Sequence, residues 1–269
     1  MDILEKIVSK KRQEIETAKS VHTIQKLEKS SNFSRPILSL SHALTSTNSV
    51  GIIAEFKRKS PSLGWININA SVEKITAGYV NAGASALSIL TDNQFFGGSN
   101  EDLIRAKESN PCPILRKEFI IDEYQVIETK SIGADAMLLI AATLKPDKLK
   151  TLCNFAKSLG LEVLVEVHNL KELESNLDCN ADIIGVNNRN LKTFEQSISV
   201  SKQLASHIPN KFVKISESGI ESPENVIELK EYGYNGFLIG QTFMKNENPE
   251  NAAMNFIIQL STLQNSNKV

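Results

Sequence analysis

Cysteine is scarce in this chain: Cys112, Cys153 and Cys179 lie far apart, and no two form a CxxC pair. That spacing argues against a zinc site and against a disulfide framework, and buried or idle thiols are the ordinary reading. An excess of one charge is missing too. Thirty Lys and Arg stand against thirty-one Asp and Glu, a formal net charge of -1, so no global field draws the chain toward nucleic acid or an anionic membrane. No apolar run approaches the roughly 18 residues of a membrane span. The opening Met1-Asp2-Ile3-Leu4-Glu5-Lys6 meets charge too often to be a signal peptide, and a cytoplasmic protein is expected. Neither GxxxxGK[ST] nor GxGxxG occurs, which removes the sequence support for a nucleoside triphosphate or dinucleotide cofactor. The four histidines, His22, His42, His168 and His207, show no HExxH or paired spacing, so no metal site is expected. His168 follows the fifth run and could line the mouth, but a structural or solvated role is the favoured reading.

What the chain does have is a repeated theme. Residues 2–19 carry Ile3, Leu4, Ile7, Val8 and Ile15 at helical spacing, with Asp2 as an N-cap. Shorter helical patterns follow around 22–29 and 36–44, before a Ser/Thr/Asn-rich break at 45–49. The first 49 residues therefore read as a helical extension packed on a core that begins afterwards. Eight short aliphatic runs then alternate with amphipathic stretches, near 51–57, 85–91, 113–118, 134–140, 161–167, 181–187, 211–216 and 236–240. Most are too continuously apolar for half-exposed antiparallel strands and read as parallel strands covered on both faces. In 269 residues with 41% hydrophobic content, eight βα units predict one (β/α)8 TIM-barrel domain over 1–269, although a doubly wound open sheet fits the same periodicity.

Barrels of this kind carry their chemistry where strands end. The first run closes on Glu55 and Lys57, the third on Lys117, the fifth on Glu166, the sixth on Asn187 and Arg189, and the seventh on Glu217-Ser218-Gly219. With side chains alternating at period two, Glu55, Lys57, Lys117 and Glu166 each share a face with an interior aliphatic residue, so two ammonium groups and two carboxylates are expected to converge at one mouth. Any one of them reads equally well as half of an ion pair that closes the barrel top. Four on three strands point instead to a charged ligand. Ser218 and Gly219 after the seventh run and Gly240 after the eighth suit a phosphate approached by backbone amides. Phe95 and Phe96, after the second run, suit a wall for an aromatic group or a loop plug.

Several of these segments resemble the indole-3-glycerol-phosphate synthase family. The first-strand stretch from Ile52 to Ser62 is the most specific. Phe95 to Ser99, Pro113 to Asp122, Leu164 to His168, Ile184 to Leu191 and Ser216 to Ile220 continue the likeness over nearly the whole chain, including the helical extension. The resemblance implies ring closure of a carboxyphenylamino-deoxyribulose phosphate with loss of carbon dioxide and water, without metal or redox cofactor. It implies Lys117 as general acid, with Lys57 at the carboxylate and phosphate region and as an acid in dehydration. Glu166 is implied as general base or as a stabiliser of the cationic intermediate, and Glu55 and Asn187 as holders of the network. Arg189 and Glu217 would line the site, Ser60, Phe96 and Phe119 would hold the substrate, and Ser218, Gly219, Gly240 and Gln241 would surround the phosphate. A small phosphorylated substrate is the expected partner, and the monomer the expected state. Glu118 and Asn190 stand where the family usually has Asp, and Gln241 where it often has a small hydroxylic residue, which puts the Gln241 side-chain contact in doubt. Three rivals differ in class: phosphoribosylanthranilate isomerase needs a Cys and Asp pair, a silent phosphate-binding module should lack Lys117 or Glu166, and a Schiff-base aldolase would use Lys117 as nucleophile.

Overall fold

The computed structural model describes residues 3–191 and 193–266. The eight apolar runs form eight strands: β1 (Ile52–Phe56), β2 (Ala86–Leu90), β3 (Ile114–Lys117), β4 (Ala136–Ile140), β5 (Glu162–Val167), β6 (Ile183–Asn187), β7 (Val213–Glu217) and β8 (Gly236–Ile239). All pair in parallel with their sequence neighbours. β1 also pairs with β8, from Ile52 opposite Phe237 to Ala54 opposite Ile239. That last ladder leaves no sheet edge, so the barrel is closed and the open doubly wound sheet is excluded. Most strands are a residue or two shorter than the apolar runs suggest because flanking residues such as Lys57 and Glu118 already belong to the loops.

Period two divides each strand between two cores. Outward side chains such as Ile52, Leu87, Met137, Val165 and Phe237 pack under the surrounding helices. Inward ones, including Ile53, Leu115, Leu138, Leu164, Ile215 and Leu238, fill the barrel. The third strand shows the consequence for charged residues. Arg116 points outward and is buried among Glu128 (2.5 Å), Asn100 (2.9 Å) and Thr129 (2.9 Å) of the neighbouring helices, while Lys117, one residue on, enters the barrel mouth.

The N-terminal extension closes both ends of this cylinder. Helix α1 (Ile3–Val21) lies over the mouth, and α2 (Ile24–Glu28) and α3 (Leu40–Thr45) follow it down the outside. The expected N-cap Asp2 lies outside the described residues. α3 begins later than its apolar pattern suggests because Ser39 caps it, accepting the His42 N–H at 3.0 Å while donating to Glu162 at 2.6 Å. Leu40 and Leu44 then enter the interior cluster and plug the N-terminal end of the barrel. At the other end Lys11 of α1 is buried against Asp92 (2.9 Å) and Glu118 (3.0 Å), which fixes the helix over the strand ends. No helix among the described residues is long and apolar enough to cross a membrane.

Candidate active site

The charged group that joins the most strands at the mouth is Lys117 of β3. Its Nζ donates to Glu166 Oε2 at 2.8 Å and also to Glu217 Oε2. A second pair sits on β1, where Lys57 Nζ meets Glu55 Oε1 at 2.7 Å. Register explains how β5 and β7 both reach one ammonium. Glu166 lies opposite Gly185 of β6, and Gly185 opposite Ile215 of β7. The intervening strand therefore contributes no side chain at that level. A Cβ on Gly185 would stand 2.4 Å from Glu217 Oε1, so the space a larger residue needs is filled by the carboxylate. Gly240 does the same for Glu55, whose Oε1 lies 2.4 Å from the Cβ position there.

Burial and mutual charge set the protonation states. Burial alone would lower the Lys117 pKa, but Glu166, Glu217 and Glu55 together outweigh it and hold the side chain as an ammonium ion well above the usual lysine range. Two carboxylates sharing one cation are not equivalent. Burial opposes ionisation of Glu166, yet Lys117 and His168 pull its pKa down. Glu217, buried and facing the charge of Glu166, is pushed up to about 7, and its Oε1 has no hydrogen-bond partner. Carboxylates are the nearest charged neighbours of Lys117, and they set its protonation state.

These groups form the floor of a pocket of about 180 Å³. Its roof is apolar: Phe96 packs against Phe119 with ring centroids 6.1 Å apart, and Leu138, Ile140, Leu238 and the first turns of α1 (Ile3, Leu4 and Ile7) complete it. Arg189 crosses the opening, donating to Ser62 Oγ (3.3 Å) and Gln241 Oε1 (3.1 Å), so it ties the loops after β1, β6 and β8 together. After β7, Ser218 and Gly219 both take positive φ, 65° and 70°. Asn188 holds this turn by donating to the Ser218 carbonyl at 3.0 Å. A non-glycine residue at positive φ is strained, and such strain tends to collect at functional sites. The Gly219 N–H donates to Gln196 Oε1 at 2.8 Å, so an anion reaching that amide must displace the Gln196 side chain.

The sequence matches Indole-3-glycerol phosphate synthase at family level over residues 4–256. A protein named indole-3-glycerol phosphate synthase from Bacteroides thetaiotaomicron is 49% identical over 95% of this chain and 98% of its own length. Namesakes from Bordetella pertussis and Caldanaerobacter subterraneus are 41% and 43% identical over 92% and 90% of this chain, and over 96% and 93% of their own lengths. The chain belongs to the indole-3-glycerol phosphate synthase family.

In this synthase fold all fourteen residues singled out from the sequence line the one pocket: Glu55, Lys57, Ser60, Phe96, Lys117, Phe119, Glu166, Asn187, Arg189, Glu217, Ser218, Gly219, Gly240 and Gln241. Two details differ from expectation. The close approach at Gly240 is made by Glu55, and the Gln241 side chain is engaged by Arg189. Of the departures from the family pattern, Glu118 accepts from Phe119 N and Thr91 Oγ, each at 2.8 Å, and Asn190 Oδ1 accepts from Thr193 N at 3.1 Å, so both act on loops. Sequence reasoning missed Ile3, Leu4 and Ile7, whose helical spacing signalled only a buried stripe. It also missed Gly185 and Gln196, which no local pattern marks, and it set His168 aside. The His168 side chain is only 9% exposed and its Nε2 lies 3.4 Å from Glu166 Oε1. Period two could have found it, two residues beyond Glu166 on the same face.

Proposed function

We propose that this chain closes an indole ring, converting 1-(2-carboxyphenylamino)-1-deoxyribulose 5-phosphate to indole-3-glycerol phosphate with release of carbon dioxide and water, a step of tryptophan biosynthesis. Lys117 is the general acid: it protonates the substrate carbonyl oxygen as the aromatic ring carbon attacks. Lys57 contacts the carboxylate and phosphate region and donates a proton when water leaves. Glu166 acts on the cationic intermediate, as general base or as its counter-charge. Glu55 and Asn187 hold the two lysines and Glu166 in register, Arg189 and Glu217 line the site, and Ser60, Phe96 and Phe119 hold the aromatic part. Ser218, Gly219, Gly240 and Gln241 surround the phosphate. The whole chain acts as one domain, as a cytoplasmic monomer without metal or cofactor, and binds neither nucleic acid nor membrane.

The observation that carries this reading is the Lys117 ammonium held between Glu166 and Glu217 beneath an apolar roof. The ammonium is the form from which a general acid starts, and such assistance is worth about 10²–10⁴-fold. The roof suits an uncharged aromatic ring while the floor suits its developing charge. Incubating the purified protein with the carboxyphenylamino-deoxyribulose phosphate and following indole fluorescence tests it. Growth of the indole signal with stoichiometric carbon dioxide is expected, and no signal from folded protein would overturn the assignment.

A further inference from the structure

The two oxygens of Glu166 have different neighbours. Oε2 accepts from Lys117 Nζ at 2.8 Å. Oε1 faces His168 Nε2 at 3.4 Å. His168 follows the end of β5, and it lines the same pocket as Glu166. Its ring is clamped from behind. Glu172 Oε2 accepts the His168 backbone N–H at 2.8 Å and faces Nδ1 at 3.2 Å. Glu172 is itself locked by Asn169, whose Nδ2 donates to Oε1 at 2.7 Å and whose Oδ1 accepts the Glu172 N–H at 3.0 Å. The clamp favours a proton on Nδ1 and turns Nε2 to the pocket. Nε2 is shut off from solvent and makes no hydrogen bond among the described residues. A buried polar atom left so costs about 1–3 kcal/mol and calls for a reason.

We propose that His168 is a positioning residue for Glu166: clamped by Glu172, its ring holds Oε1 while Lys117 holds Oε2, so that the carboxylate meets the substrate ionised and in one orientation. The proposal rests on the role given above to Glu166. Hydrogen bonds of this kind are often long in an empty site and shorten when substrate fills it. The charged groups facing the ring are Glu166 from β5, Glu217 from β7 and Glu172 from the helix that follows, with Lys117 of β3 paired to the first two. Burial disfavours an imidazolium, but those carboxylates outweigh it and raise the His168 pKa. The imidazolium in turn helps keep Glu166 ionised. Removing the ring therefore makes Glu166 easier to protonate, and activity that needs its carboxylate form should fail at higher pH on acidification.

The test compares H168A, H168Q, E166Q and the double variant H168A/E166Q. H168A should lower kcat about 10–100-fold, the worth of one charge-assisted hydrogen bond, with KM changed by no more than about twofold. The acid limb of its kcat–pH profile should move to higher pH. H168Q, whose amide can still donate to Oε1 but carries no charge, should recover part of kcat and keep the displaced limb. On the E166Q background, removing His168 should cost almost nothing more. Parent-like kcat and limb in H168A would overturn the proposal, as would an equal loss on both backgrounds, which marks a ring that merely packs. If H168A does not fold, an undisplaced limb in H168Q overturns it alone. Parent-like turnover in E166Q would remove the role of Glu166 itself, whereas a slow E166Q beside a parent-like H168A would remove only that of His168.

Discussion

At the N-terminal end of the barrel Asp135 accepts four donors on two oxygens: Arg35 Nη2 (2.7 Å) and Leu38 N (2.9 Å) on one, Lys107 Nζ (2.8 Å) and Ile114 N (2.8 Å) on the other. At the C-terminal end Glu217 meets Lys117 with one oxygen and nothing with the other. Both carboxylates are buried, and they do opposite things. The lower carboxylates pair both of their oxygens and join the extension to the barrel floor, Glu162 taking Ser39 Oγ (2.6 Å) and Ser41 N (2.9 Å), although Arg35 Nε and Ser41 Oγ beside them have no hydrogen-bond partner among the described residues. The upper end leaves polar atoms unpaired on Glu217 and His168, and has two carboxylates competing for one ammonium. A site that must bind and reshape a charged substrate keeps unspent electrostatic attraction, at a cost in stability.

This contrast can be broken or sharpened experimentally. The largest effect belongs to the upper end. Lys117→Ala should lower turnover by about 10²–10⁴-fold while a phosphorylated substrate analogue binds as before; steady-state kinetics with calorimetric titration checks this, and near-parent turnover removes the assigned acid. At the lower end Asp135→Ala should cost about 3–5 kcal/mol of stability, because Lys107 and Arg35 lose their buried counter-charge. Urea melts should show that loss while kcat in the folded fraction stays put, and a large fall in kcat would erase the distinction between the ends.

A third effect concerns pH. The Glu217 carboxyl has a folded pKa of about 7 against an ordinary 4.5, so between those values the folded state binds more protons than the unfolded one. Stability from this group is full below about 4.5 and is lost as pH rises through 7. Glu217→Gln should remove that decline, by about 2 kcal/mol or less, in denaturation midpoints from pH 4.5 to 8; an unchanged slope would show that Glu217 is not strained by its surroundings. The smallest change is expected for Gln196→Ala. It frees the Gly219 N–H and should tighten inhibition by inorganic phosphate by about threefold, a fraction of one net hydrogen bond; weaker inhibition would mean that Gln196 itself contacts the anion.

The eight strands were legible because most of their runs, such as Ala136–Ile140, are apolar on successive residues, and only strands covered on both faces need that. Barrel closure was expected from the count of eight βα units but not fixed by their periodicity. It depends on β1 meeting β8 across nearly the whole chain, and the periodicity of an open sheet is the same. The charged site could be read from which residues end the apolar runs, since alternation decides that Lys117 turns inward and Arg116 outward. The ligand roof could not. Ile3, Leu4 and Ile7 occupy it because Lys11 is drawn to Asp92 and Glu118, partners about 80 and 107 residues away along the chain. The surroundings of His168 were out of reach for a related reason: they are set by Glu172, one helical turn ahead, and by Glu166 beside it.

The sequence by itself determined the alternation of strands and helices, the convergence of Glu55, Lys57, Lys117 and Glu166, and a likeness specific enough to name the family. These are local properties, fixed by side-chain period and by the chemistry of adjacent residues. Only the tertiary structure decided which carboxylates share Lys117, which of them resists ionisation, and which buried carboxylate keeps an oxygen without a hydrogen bond among the described residues. Those outcomes depend on distances of a few ångströms between residues a hundred apart in the chain, and on burial that removes water as a competing partner.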